Sequence, residues 1–225
     1  MSDHHHDSHD HGDHTHAPGH RHPPQADHDD TLTYYRKLEM AVRELLIQKN
    51  VITADEVRKV VEDIESRTPE GGARVVARAW SDPAFKEALL RDATAVCADM
   101  GFEMALYDVK LTVVENTPEV HNVVVCTLCS CYPRMLLGLP PAWYKSRAYR
   151  SRTVREPRTV LREFGLELPD TVSVRVHDST ADLRYLVLPM RPAGTEGYTE
   201  EALVGLVSRD SMIGTAVVQA PGSKA

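Results

Sequence analysis

Cys126, Cys129 and Cys131 stand together in the run VVVCTLCSCYPRMLLG from Val123 to Gly138, a C-x-x-C-x-C pattern. Thiols this closely spaced suit metal ligation or redox chemistry. A tetrahedral zinc site wants a fourth ligand, usually from a second Cys or His pair. Outside the first thirty residues only His121, His177 and Cys97 remain, and none forms such a pair. An iron–sulfur cluster meets the same shortage. The backbone offers other donors. The Cys131 amide nitrogen closes a five-membered chelate ring with a sulfur, and the Ser130 amide nitrogen closes a six-membered ring with the Cys129 sulfur. Two thiolates and two amide nitrogens then define a plane, with the Cys126 sulfur axial and the sixth position open. Ligation by a deprotonated amide demands a strongly Lewis-acidic ion, such as trivalent cobalt or iron. An open position on such an ion polarises water or a substrate nitrogen, which is hydration or hydrolysis chemistry.

The claw starts where a β-branched run ends. Lys110–Glu115 and His121–Val125 read as two strands joined by a turn at Asn116, Thr117 and Pro118. Beyond the claw, Pro140–Ser151 and Pro157–Phe164 read as two helices, the second opened by proline and stopped by Gly165. Val172, Val174 and Val176 alternate with polar residues, and Leu183–Leu188 reads as another strand. A loop with Pro189, Pro192 and Gly194 leads to a helix over Thr199–Val207 and a short tail.

Upstream the pattern is helical. Leu38, Val42, Leu45 and Leu46 recur at helical spacing after a capping Thr33, and Thr53 with Glu56 forms a capping box ahead of Val57, Val60, Val61 and Ile64. Pro69, Gly71 and Gly72 should break this second helix. Ala73–Trp80 and Phe85–Cys97 read as two further helices, and Cys97 among alanines reads as a buried, inert thiol. The expected class is α+β, with a helical arm over residues 31–100 and a layered α/β metal-binding core over 101–225.

The chain has 225 residues, 42% apolar and 26% charged, enough for one domain with a core. Four cysteines and a net charge of −7 argue against a disulfide scaffold and against a nucleic-acid binder held by phosphate contacts. No apolar run is long enough to span a membrane, and the polar, acidic start lacks a secretory signal, so a reducing cytoplasm is expected.

Ten of the twelve histidines, seven aspartates and one arginine fall in residues 1–30. That segment reads as a disordered tail which either gathers cobalt, nickel or zinc, or binds metal only incidentally. The other 195 residues, with 25 basic and 26 acidic side chains, are nearly neutral.

The sequence resembles the alpha subunits of nitrile hydratases. The likeness rests on VCTLCSCYP at Val125–Pro133, LGLPPAWYKS at Leu137–Ser146, YRSRTVREPR at Tyr149–Arg158, and RPAGTEGYTEE and SRDSMIG further on, and it runs from about Tyr34 to about Gly214. It implies that Cys126, Cys129, Cys131 and the Ser130 and Cys131 amides bind a low-spin Co(III). Thr127 is the form usual in the cobalt members, where the iron members usually carry serine. It also implies oxidation of Cys129 to a sulfinic and Cys131 to a sulfenic acid, and hydration of a nitrile to its amide with the Cys131 sulfenate or a water as nucleophile. Arginines would come from a β-type partner subunit, whole or split in two, so the chain alone should be a poor catalyst. An activator or metallochaperone is a further expected partner.

The chain departs from that pattern at Arg134, where the family usually has a tryptophan walling the substrate pocket. Arg134 either faces a partner subunit or tunes the pocket for a polar, larger or anionic substrate. Arginine here is also found in the related thiocyanate hydrolase gamma subunits and would suit three-component enzymes acting on nucleoside nitriles. A glutamine that many members carry upstream of the claw has no counterpart between Gly101 and Val125. Trp143 and Tyr144 read as packing or interface residues, and Arg150, Arg152, Arg155 and Arg158 as a solvated or subunit-contacting face. The Ser130 hydroxyl is placed to bond a neighbouring oxidised sulfur. Nitrile hydration ranks first, thiocyanate hydrolysis second, and a non-enzymatic cobalt store or chaperone is the reading from another class.

Overall fold

Thr33 and Thr53 start the first two helices, as their side chains dictate. In the computed structural model, which describes residues 32–102, 109–219 and 222, α1 (Tyr34–Gln48) is capped by the Thr33 hydroxyl accepting from the Arg36 N–H. At α2 (Ala54–Ser66) both arms of the capping box form: the Thr53 hydroxyl accepts from Glu56 N–H, and the Glu56 carboxylate accepts from Thr53 N–H at 2.7 Å. Neither helix buries a residue within the chain, and Leu38, Val42, Leu45, Val60 and Val61 all stay exposed. The 1–30 tail lies outside the described residues.

The break after α2 does not fall at the glycines. α3 (Glu70–Ser81) takes both Gly71 and Gly72 into its first turn. The reason is close approach: a Cβ at Gly72 would lie 2.6 Å from Leu137 Cδ2 and 2.7 Å from Met212 Sδ. The helix sits so near its neighbours that the glycines cost less than the gap a side chain would force. Beyond them Val75, Val76 and Ala77 are fully buried, so α3 runs through the main hydrophobic cluster.

The single helix expected over Phe85–Cys97 is two, α4 (Pro83–Arg91) and α5 (Ala93–Asp99). Asp92 divides them, donating its N–H to Ala88 O while its carboxylate accepts from Ala95 N–H at 3.1 Å. Cys97 is fully buried, and burial pushes its thiol up to about 12, which makes it as inert as expected.

β1 (Lys110–Glu115) and β2 (Val120–Val125) are joined by the expected turn yet do not form a ladder with each other. β1 pairs in parallel with β4 (Leu183–Leu188), and β2 in parallel with β3 (Ser173–Asp178). Every residue of β2 from His121 to Val125 is buried, the mark of a parallel strand covered on both faces. Mixed helix and strand, as expected, make the chain α+β.

After β2 come α6 (Arg134–Leu137), which the sequence reading did not foresee, α7 (Ala142–Lys145), α8 (Arg147–Thr153) and α9 (Pro157–Glu163). The one helix expected over Pro140–Ser151 is divided at Ser146, whose hydroxyl caps α8 by accepting from Tyr149 N–H. At the C-terminal end, α10 (Glu200–Val204) is shorter than expected, and α11 (Arg209–Ile213) occupies part of what read as tail. Ser208 caps α11, and both helices pack on α3.

A buried polar knot ties these layers together. Asn122 donates its backbone N–H to Asn116 Oδ1 at 2.7 Å and its side-chain amide to Glu115 O at 2.8 Å, and it accepts from His177 Nε2 at 2.8 Å. His121 Nε2 lies 2.7 Å from Gly214 O. A carbonyl only accepts, so Nε2 carries the proton, and Nδ1 is left to accept from Asn116 Nδ2 at 3.3 Å.

Burial holds both imidazoles below the ordinary 6.5. Their contribution is therefore complete above that value and is lost as pH falls through the lower folded-state values. The thermal midpoint of the chain should fall between about pH 7 and pH 5, and His121→Gln should flatten that fall in circular-dichroism melts. An unchanged slope would remove His121 from the acid response.

Candidate metal centre

The claw is an extension of β2. Val125, the last strand residue, pairs with Asp178, and its carbonyl accepts from Ser179 N–H at 2.7 Å. Cys126 follows, fully buried, so its sulfur is fixed at the end of the strand. The chain then turns, and Asp178 holds the turn: its carboxylate accepts from Thr127 N–H at 2.9 Å and from the Thr127 hydroxyl at 2.6 Å. Hydrogen bonds to an ionised acceptor are the stronger kind, so this clamp fixes the first step out of the strand.

Beyond the turn the Cys129 N–H donates to Cys126 Sγ at 3.2 Å. The Cys126 and Cys129 sulfurs lie 3.5 Å apart and those of Cys129 and Cys131 3.1 Å apart, with all three within 4.8 Å of one another. The loop backbone is pinned from behind. Tyr144 Oη donates to Cys131 O at 2.8 Å, Tyr149 Oη to Val124 O at 2.7 Å, and Arg150 Nη1 to Cys129 O at 3.2 Å.

Two sulfurs of the claw have opposite electrostatics. The Cys129 thiol is lowered to about 7, chiefly because Cys131 hydrogen-bonds to it, with the Ser130 and Cys131 backbone N–H groups also favouring its thiolate. Cys131 is pushed up to about 12, chiefly by burial and then by the same contact with Cys129, and the charge of Arg184 opposes that rise. The donor set fits a thiophilic, strongly Lewis-acidic ion. Three sulfurs are gathered already, and the Ser130 and Cys131 amides, which would supply two further donors, hydrogen-bond the Cys129 sulfur.

In front of the claw is a cavity of about 280 Å³ whose lining includes Cys129, Ser130, Cys131, Arg134, Met135 and Arg184. The structure thus brings together all five residues singled out from sequence: Cys126, Cys129, Ser130, Cys131 and Arg134. It adds Asp178, Tyr149 and Arg184, which carried no local signal. Arg184 arrives on β4, its guanidinium held by backbone carbonyls of the preceding turn, Ala181 O at 3.0 Å among them.

The basic run after the claw is bonded along the surface of the chain. Arg150 supports the claw, Arg152 pairs with Glu156 and Glu163, Arg155 bonds Ser151 O, and Arg158 bonds Leu168 O and Val172 O. These guanidiniums all bond within the chain, three of them half-buried and Arg155 exposed, along the face expected to be solvated or subunit-contacting. Trp143 packs edge-on against Tyr149 and Phe164, as a packing residue should.

Three thiols at the end of a parallel strand, backed by tyrosines and opening on a cavity with two guanidiniums, define an α+β subunit built to carry a thiolate-held metal. Residues 33–216 match the family model described as nitrile hydratase, alpha chain, and the chain belongs to that family. It is 52% identical over 182 residues to the low-molecular weight cobalt-containing nitrile hydratase subunit alpha of Rhodococcus rhodochrous, covering 80% of this chain and 87% of that one. To the thiocyanate hydrolase subunit gamma of Thiobacillus thioparus it is 44% identical over 190 residues, 80% of this chain and 78% of that one. Among solved structures, a double mutant of the Fe-type nitrile hydratase from Comamonas testosteroni Ni1 superposes with a TM-score of 0.79 at 40% identity, covering 85% and 93% of the two chains.

Proposed function

We propose that this chain is the metal-binding alpha subunit of a cobalt nitrile hydratase and works in the cytoplasm with a β-type partner. One observation carries the reading: three thiols stand within 4.8 Å of one another in a chain 52% identical to a cobalt-containing relative. Cys126, Cys129, Cys131 and the amides of Ser130 and Cys131 would hold Co(III). When bound, that ion supplies Lewis acidity toward a nitrile nitrogen or a water.

The rest is done by the chain. Asp178, Tyr144 and Arg150 hold the loop in its ligating shape, and the cavity admits one small molecule beside Cys131. Cys131 as a sulfenic acid and Cys129 as a sulfinic acid would place oxygens at the mouth of that cavity, where Cys131 serves as nucleophile or orients the attacking water. Leu128, 83% exposed beside the claw, and the apolar faces of α1 and α2 give the partner subunit, whole or split, something to cover.

Arg134 and Arg184 favour a second reading, since two guanidiniums at one cavity suit an anion such as thiocyanate. A single assay series separates the two. The metal-replete complex should hydrate nitriles, and the chain alone should show negligible activity. Arg134→Trp should shift the ratio of kcat/KM values toward small apolar nitriles by about tenfold. Faster turnover of thiocyanate than of any nitrile would install the second reading, and full activity of the lone chain would remove the subunit assignment.

A further inference from the structure

A second cavity, of about 380 Å³, shares Met135 with the one in front of the claw and takes no part in the function proposed above. Its lining comes from the end of α2, the first turns of α3, Gly101 and Phe102. Backbone contacts fix that wall. A Cβ at Gly138 would lie 2.2 Å from Arg67 O, and one at Gly71 would lie 3.1 Å from Leu136 O and 2.9 Å from Phe102 Cε1. The end of α2, the start of α3 and α6 therefore meet in close contact, and the cavity is a fixed feature of their junction.

What stands between the two cavities is a weak contact. The Arg67 side chain is only 14% exposed; its Nη2 pairs with Asp63 at 2.6 Å, and its Nη1 donates to Met135 Sδ at 3.1 Å. A thioether is a weak acceptor, so this guanidinium N–H gains when an oxygen replaces the sulfur. Methionine is unbranched, with three rotatable bonds, and swings aside more readily than a branched side chain would. The charges of the lining balance, Asp63 and Glu70 against Arg67 and Arg74, so the cavity favours a group without net charge. Phe102 and Met135 add apolar surface beside the polar groups.

We propose that this second cavity is the distal half of the substrate site, entered when an acceptor oxygen of the substrate takes the place of Met135 Sδ on Arg67. This rests on the reading of the claw as a nitrile-hydrating centre. The substrate class is an extended nitrile, with its nitrile group beside Cys131, an apolar ring or chain running past Met135, and an uncharged ether, hydroxyl or carbonyl oxygen accepting from Arg67 Nη1. The two cavities, about 280 and 380 Å³, have room for such a two-part molecule, whereas a nitrile of a few carbons would occupy the first alone. Arg67 is then a specificity-determining residue. Its effect is separate from that of Arg134, which lines the first cavity and not the second.

The test uses the metal-replete complex with its β-type partner and nitriles matched in shape: para-(methoxymethyl)benzonitrile against para-propylbenzonitrile, and para-(methoxyethyl)benzonitrile against para-butylbenzonitrile. In each pair an ether oxygen replaces a methylene. The ratio of kcat/KM values, ether over alkyl, should reach about tenfold in at least one pair, because a site that hydrogen-bonds an oxygen rejects the analogue lacking it. Arg67→Met should bring that ratio to about one. Met135→Ala removes the partition and leaves Arg67 in place, so it should raise kcat/KM for the longer pair several-fold relative to benzonitrile. Binding is read separately, from the Met135 methyl resonance in a complex with methyl-labelled methionine, assigned by its loss in Met135→Leu. Benzyl methyl ether, which carries no nitrile, should shift that resonance, and propylbenzene at equal concentration should not. A ratio of about one in both pairs before any substitution, or no difference between the two compounds at Met135, would overturn the proposal. A shift with benzyl methyl ether alone, in a complex that hydrates no nitrile, would remove the nitrile-hydrating reading and leave the Arg67 site standing.

Discussion

Cys131→Ala should leave the chain folded, nearly free of cobalt, and slower in nitrile hydration by at least about a thousandfold. The size of the effect follows from position. Cys131 closes the claw, with its sulfur 3.1 Å from that of Cys129, its carbonyl held by Tyr144 at 2.8 Å and its side chain only 9% exposed. Removing the sulfur takes away one of the three thiols proposed as ligands and the side chain proposed for the reacting end of the cavity. Serine in its place would restore shape without a thiolate, so Cys131→Ser should lose cobalt almost as completely. Cys97→Ala is the control, because that thiol is buried in α5 and is no part of the claw. It should retain cobalt and activity and lose only modest packing energy, about 1 kcal/mol. Mass spectrometry of the metal-replete complex adds a second check, with increments of about one oxygen on Cys131 and about two on Cys129. Plain thiols in an active complex, or a Cys131→Ala chain that keeps its cobalt, would remove Cys131 from the role assigned to it.

What could be read from sequence was local. The claw, its two candidate amides and Arg134 lie within nine consecutive residues, so their juxtaposition follows from chain connectivity. The capping box at Thr53 and Glu56 is likewise a relation between residues three apart, and all four strands were legible as short runs, those at Lys110–Glu115 and His121–Val125 from their β-branched residues. What could not be read depends on distant pairing. Asp178 meets Thr127 only because β3 lies parallel to β2 with Val125 opposite Asp178, and nothing near Asp178 announces that register. Arg150 looked like one charge in a basic run until α8 was placed against the claw. Gly71 and Gly72 read as helix breakers because local propensity counts against glycine, whereas tertiary closeness to Leu137, Met212 and Phe102 is what selects them. α11, only five residues long, is held by packing that no short window displays.

The same closeness makes Gly214 the most sensitive glycine to test. Gly214→Ala is expected to destabilise the chain by about 3–5 kcal/mol, seen as a lower urea midpoint at unchanged m-value. Two costs combine. At φ +91° an alanine is strained, by about 1–2 kcal/mol. Its Cβ would also lie 2.0 Å from Asn122 O and 3.0 Å from Val123 Cα, which are backbone atoms of β2 and cannot rotate aside. Gly165→Ala separates the terms: its φ is +84°, yet no atom lies within 4 Å of the added carbon, so it should show the strain alone. If both variants lose the same stability, close approach to β2 contributes nothing and the argument fails. The consequence reaches the metal centre. Relief of the clash requires α11 to move off β2, which breaks the bond from His121 to Gly214 O and loosens the strand that ends in Cys126. Gly214→Ala should therefore hold less cobalt per folded chain even below its unfolding transition, whereas Gly165→Ala, next to α9 and away from that contact, should load normally.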